Sequence, residues 1–244
     1  MCLFSIIDSS KQHHFMINVN AAIQTYCPVF RPGATDETVS LELITDSVRF
    51  YSALEKAKKA WDALDESVCL TLKKDAKSRN AFLTCYSLED YSQMKLLLLS
   101  NDNGGCALKK NGEIVSVFRH PGYGKVKIAE TVMPVAIELG GNRLDCFSGD
   151  ECALPAIYGA YGFIPVAKVS FDIRFKPDNW NDERDGTPDI VYMMYDKKIK
   201  ALFDGMETKE RKTKIRDKIT SLTPVSCDDA EEACKKYAIE LEFQ

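Results

Sequence analysis

Residues 104–141, GGCALKKNGEIVSVFRHPGYGKVKIAETVMPVAIELGG, constrain the fold more than any other stretch. Two alternating apolar runs flank Asn111-Gly112, a pair whose tolerance of positive φ predicts a tight hairpin turn. The second run passes through the loop RHPGYG into a helical pattern with Ala129, Val132, Met133, Ala136 and Leu139 on one face. Gly140-Gly141 is a helix stop, and Pro134 is expected to bend the helix before it. A hairpin running directly into an amphipathic helix requires a sheet for that helix to pack against.

The remaining pattern is compatible with such a sheet. Residues 45–64, TDSVRFYSALEKAKKAWDAL, space Val48, Tyr51, Leu54, Ala57, Trp61 and Leu64 as a helix, with Thr45 or Asp46 as N-cap. SVCLTLK (67–73) and AFLTCY (81–86) read as strands around a polar turn, and LEDYSQMKLLLLS (88–100) as a short helix entering NDNGG. RLDCF (143–147) reads as a strand, and a helix follows over about 150–161. PVAKVSFDI (165–173) and DIVYMMYD (189–196) are two further strands across a long polar loop. Residues 1–43 are ambiguous: HHFMINV suits a strand and CPVFRPGATDE a loop. Interleaved helices and strands predict an α/β fold, a mixed sheet with helices on both faces.

A 244-residue chain with 45% apolar and 28% charged residues can bury one large domain, or one domain with an appendage. A net charge of −4 does not indicate a general nucleic-acid-binding field. The nine cysteines are scattered, odd in number and without a CxxC pair, which predicts buried thiols in a reducing compartment. MCLFSII lacks the basic flank of a signal peptide and no apolar run approaches membrane-spanning length, so the expectation is a cytoplasmic protein without membrane contact. His13-His14 and one further histidine are too few for a metal site.

The order hairpin, RHPGYG, helix, strand, IYGAYGF, strand, strand resembles the core of the GNAT superfamily of N-acetyltransferases over residues 81–196. Arg119-His-Pro-Gly122-Tyr-Gly124 is similar to the family's [QR]-x-x-G-x-[GA] loop, and Ile157-Tyr158-Gly-Ala-Tyr161-Gly162-Phe163 to its LYxxxGF helix. The resemblance implies a GNAT-type, mostly antiparallel central sheet with helices on both faces. It implies acetyl-CoA as cosubstrate, held by Val115, Ser116, Val117, Phe118, Arg119, Gly122, Tyr123, Gly124 and Lys125. It also implies Tyr158 as the catalytic phenol that protonates the leaving thiolate, with an unidentified primary amine as acceptor. The physics agrees: a loop entering a helix presents unpaired N–H groups and a positive dipole end to a pyrophosphate, and glycine permits close approach. On this reading 1–80 is a family-specific N-terminal portion of the same domain, 81–196 the acetyltransferase-like core and 197–244 a charged helical appendage.

Other assignments stay open. Laid through His120-Pro121, the loop puts Val126 and Ile128 at glycine positions, which suits a degenerate binding or inhibitory protein on the same fold. His120 or Glu113 could act as base, against the plainer reading of each as an exposed polar residue. Asp145 and Cys146 on RLDCF should face opposite sides of the sheet, the thiol buried. Residues 197–218 hold nine basic and four acidic side chains: a solvated helix, or a contact with nucleic acid or tRNA that would make this a nucleic-acid-directed acyltransferase.

Overall fold

Strand pairing and packing divide the chain near Gly140-Gly141. A computed structural model describes residues 24–26, 39–63, 83–123, 127–149, 153–177, 180 and 182–242. They form two compact units, and those up to Gly140 make the first. Its elements are β1 (Gln24–Tyr26), β2 (Leu41–Ile44), α1 (Ser47–Asp62), α2 (Leu88–Ser92), β3 (Lys95–Leu99), β4 (Gly104–Leu108), β5 (Ile114–Arg119) and α3 (Ile128–Glu138). The strands lie in sequence order, β1-β2-β3-β4-β5, every neighbour antiparallel. Phe50, Leu54 and Ala57 of α1 pack with Leu96, Leu98, Ala107, Val115 and Phe118, while α3 packs against β4 and β5.

Three local expectations are corrected. The leucine run is strand β3, not helix: α2 stops at Ser92 and Leu96–Leu99 are all buried. Leu96 and Leu98 join the α1 cluster, so by alternation Leu97 and Leu99 face the other side. A strand buried on both faces loses its alternating signature and reads as a continuous apolar run. In α1 the buried face is Phe50, Ala53, Leu54, Ala57 and Trp61, whereas Val48 is 60% exposed. Asp46 is the N-cap, accepting from Arg49 N. The hairpin connection is longer than the two-residue turn: Lys109 N donates to Glu113 O, Gly112 N to Lys109 O, and only Gly112 has positive φ. The N-terminal motifs HHFMINV and CPVFRPGATDE, SVCLTLK, and the start of AFLTCY lie outside the described residues; 83–86 form no strand.

The second unit holds β6 (Arg143–Phe147), α4 (Ala153–Gly159), β7 (Phe163–Val169), α5 (Asp182–Asp185), β8 (Ile190–Tyr195), α6 (Lys197–Asp204), α7 (Thr208–Ser221) and α8 (Cys227–Glu242). Its sheet runs β6-β8-β7, again antiparallel. Helix α8 lies against β7 and β8, and α7 against α4 and β7. The helices after residue 197 thus pack on this sheet. Asp196 caps α6 through Lys198 N and Ile199 N and accepts from the Tyr237 hydroxyl at 2.9 Å, tying α8 to the start of α6. The long β7–β8 connection is held by Phe147, Phe171 and Trp180, the last two rings stacked with centroids 4.7 Å apart. The chain is a mixed α/β protein with antiparallel sheets. Among the described residues no helix is long and apolar enough to cross a membrane.

Candidate functional site

Strand β5 is the last strand of the first sheet among the described residues and carries its main irregularity. Gly105 pairs with Phe118 and Ala107 with Val115, so Cys106 alone faces Ser116 and Val117. This is a β-bulge, with Ser116 at φ 51°. The extra residue explains why Val115 and Phe118, three apart, both face the α1 cluster. Gly105 permits the close approach of β3 behind the bulge, since a Cβ there would lie 2.3 Å from Leu97 O.

A non-glycine residue at positive φ is strained and persists only if its surroundings fix it. Here Ser116 Oγ donates to Thr84 O (3.2 Å) and lies 2.8 Å from the Tyr91 hydroxyl. Since the serine proton goes to Thr84, Tyr91 donates to Ser116. The same phenol oxygen accepts from Tyr86 N at 3.2 Å. Tyr91 is fully buried, and burial raises its pKa, so it stays a neutral donor. Opposite the bulge, burial pushes the Cys106 thiol up to about 12, which makes it inert. Sequence reasoning missed this network. Its local trace is SLED, in which Ser87 and Asp90 form a capping box that fixes α2 and with it Tyr91.

Beyond β5 the chain makes a turn at Pro121–Tyr123 before α3. Trp61 Nε1 donates to Arg119 O at 2.6 Å, and the Arg119 guanidinium stands 5.8 Å from the Trp61 ring centre. His120 N donates to Asn103 O, and Gly122 N donates to His120 Nδ1 at 3.1 Å. Pro121 has no N–H. The amides of 120 and 122 are therefore engaged within the chain. His120 uses Nδ1 as acceptor, so its neutral form carries the proton on Nε2. Burial, with Lys56 nearby, lowers its pKa. Helix α3 starts with no side-chain cap bond at Lys127. Gly124, Lys125 and the Tyr123 side chain lie outside the described residues.

The expected cofactor residues of β5 are thus contiguous with the loop, but Val115, Ser116 and Phe118 turn their side chains inward. What they can offer a ligand is backbone. As the last strand of its sheet among the described residues, β5 has no strand neighbour on its far edge among them.

Tyr158 lies in α4 of the second unit and is 8% exposed; Tyr161 follows the helix and is half-buried. Tyr158 is the more enclosed of the two phenols. The glycines of this stretch have separate tasks. A Cβ on Gly159 would come within 2.9 Å of Ile215 on α7, and Gly162, at φ 92°, turns the chain from α4 into β7.

The candidate bases are otherwise occupied or exposed. Glu113 accepts from Lys109 Nζ at 2.8 Å. Asp145 is exposed while Cys146 is buried with its sulfur 3.9 Å from Met193 Sδ, the alternation expected of β6. Among the described residues no three His, Cys, Asp or Glu side chains are grouped to hold a metal; His13-His14 lie outside them. Cys85, Cys106, Cys146, Cys227 and Cys234 carry thiols rather than disulfides. Comparison with models of known protein families, with curated proteins and with solved structures finds no match for this chain.

Proposed function

We propose that the protein is a GNAT-type N-acetyltransferase that moves an acetyl group from acetyl-CoA to a primary amine. The observation that carries this reading is β5, a bulged strand, terminal among the described ones, followed by a glycine-containing turn at Pro121–Tyr123 and, from Lys127, by the start of α3 without a side-chain cap. An edge strand can pair its backbone with an extended amide-bearing ligand, as the pantetheine arm is. A helix start then suits the pyrophosphate. The element order hairpin, turn, helix, strand, tyrosine-bearing helix, strand, strand supports the same reading.

In the proposed reaction the neutral amine attacks the thioester carbonyl and the C–N bond forms. The C–S bond then breaks, and the thiolate takes its proton from the Tyr158 hydroxyl. The surplus amine proton leaves through water, which returns a proton to the Tyr158 phenolate, because Glu113 is held by Lys109 and His120 Nδ1 by Gly122. The N–H groups offered to the pyrophosphate are those of the first turn of α3.

A second reading, a non-catalytic protein on the same fold, is favoured by the engaged amides of His120 and Gly122. Calorimetric titration with acetyl-CoA separates the two. The enzyme reading expects binding that weakens tenfold or more, about 1.4 kcal/mol, in Gly124→Glu, which sets a carboxylate against the phosphates and in competition with them for the positive end of the helix dipole. Wild-type protein that binds no acetyl-CoA would sink the enzyme reading. Equal affinity of a folded Gly124→Glu variant would remove the loop from the site.

A further inference from the structure

Helix α7 stands apart from the rest of the chain in charge. It carries six basic residues (Lys209, Arg211, Lys212, Lys214, Arg216 and Lys218) and two acidic ones (Glu210 and Asp217), in a protein of net charge −4. Only Ile215 and Ile219 of this helix are buried. At 100° per residue, Lys209, Lys212 and Arg216 fall on one flank of that buried stripe, within about 60° of arc. Glu210 and Asp217 point away from this flank, and Glu210 pairs with Lys214. All three residues of the ridge are exposed, and none forms an ion pair among the described residues. Such segregation adds nothing to helix stability, since a carboxylate at i±4 would stabilise each cation and none is placed there.

We infer that the Lys209–Lys212–Arg216 ridge is a docking surface for the phosphodiester backbone of a nucleic-acid duplex. The ridge extends over about 10 Å of helix, the axial length of roughly three phosphates of one strand. Two features of α7 select this occupant. It exposes no large apolar side chain to enter a lipid surface. It also has no aromatic ring on which unpaired bases could stack. Contacts made by long cations to phosphates alone read no sequence. The inference does not depend on the acetyltransferase reading.

The test uses the full chain with a 20-base-pair RNA duplex and a DNA duplex of the same sequence, each titrated from 50 to 200 mM salt. Binding to either duplex is expected to weaken steeply with salt. In K209Q/K212Q/R216Q the slope of log K against log salt should fall by about 2 to 3, with affinity at 50 mM salt reduced at least about tenfold. K214Q/K218Q, on the other flank, should keep most of the affinity. Binding of RNA alone or DNA alone supports the ridge and names its source. The inference fails if neither duplex binds at 50 mM salt, if wild-type binding is insensitive to salt, or if the two variants lose affinity equally. It also fails if anionic vesicles bind and duplexes do not. Should the triple variant not fold by circular dichroism, the wild-type slope decides, since a slope shallower than about −2 leaves too few phosphates neutralised.

Discussion

Tyr158→Phe is expected to lower acetyl transfer by about 10²–10⁴-fold while the protein stays folded, the usual contribution of a positioned general acid. The ring remains, so the packing of a side chain that is only 8% exposed is kept. At most one hydrogen bond is lost, about 0.5–1.5 kcal/mol of stability. Affinity for acetyl-CoA should hardly move, because proton donation to the departing sulfur belongs to the transition state rather than to the bound ground state. The effect should therefore appear in kcat and in kcat/KM alike. Tyr161→Phe is the internal control: it changes a half-buried phenol one turn away and should keep turnover. A reversed pattern, with Tyr161→Phe inactive and Tyr158→Phe active, would exchange the two roles. If both variants retain turnover, neither phenol is an acid. The IYGAYGF stretch would then be explained by its glycines alone, Gly159 for the approach of α7 and Gly162 for the turn into β7.

Features encoded within a few residues were legible in advance. Strand β6 has the bounds read from RLDCF, and Gly140, at φ 103°, stops α3 where the glycine pair predicted. Other features required knowledge of what lies opposite. Four successive leucines are compatible with either helix or strand, and only burial on both faces of β3 decides for the strand. The phase of α1 could be drawn through Val48 or through Phe50; contact with Tyr91 and Phe118 selects Phe50. The bulge at Ser116 was the least visible, since no glycine announces its positive φ. Its supports, Tyr91 and Thr84, are 25 and 32 residues away. Trp61 beneath the Arg119 carbonyl was likewise hidden, 58 residues distant. The candidate cofactor loop was readable as a motif. The engagement of its first amides was not, because that depends on one histidine rotamer and one carbonyl across the turn.

The bulge itself should be sensitive to substitution. Ser116→Val places a β-branched residue at φ 51°, where strain costs about 1–3 kcal/mol. It also removes the hydroxyl that accepts from Tyr91 and donates to Thr84. A buried donor left without its acceptor costs a further 1–3 kcal/mol or so. Together these should destabilise the first unit by about 2–6 kcal/mol, a loss of roughly 1 M or more in urea midpoint. Ser116→Gly separates the two contributions. It breaks the same hydrogen bonds but relieves the backbone, so its cost should be clearly smaller than that of the valine variant. The two tryptophans make the measurement specific, since Trp61 lies in the first unit and Trp180 in the second. In a Trp180→Phe background, indole fluorescence reports the unit that contains Ser116 alone. Equal losses for glycine and valine would assign the whole effect to the hydroxyl. A valine variant as stable as the parent would mean that β5 does not hold the bulge in solution, and the backbone edge proposed to hold acetyl-CoA would lose its structural basis.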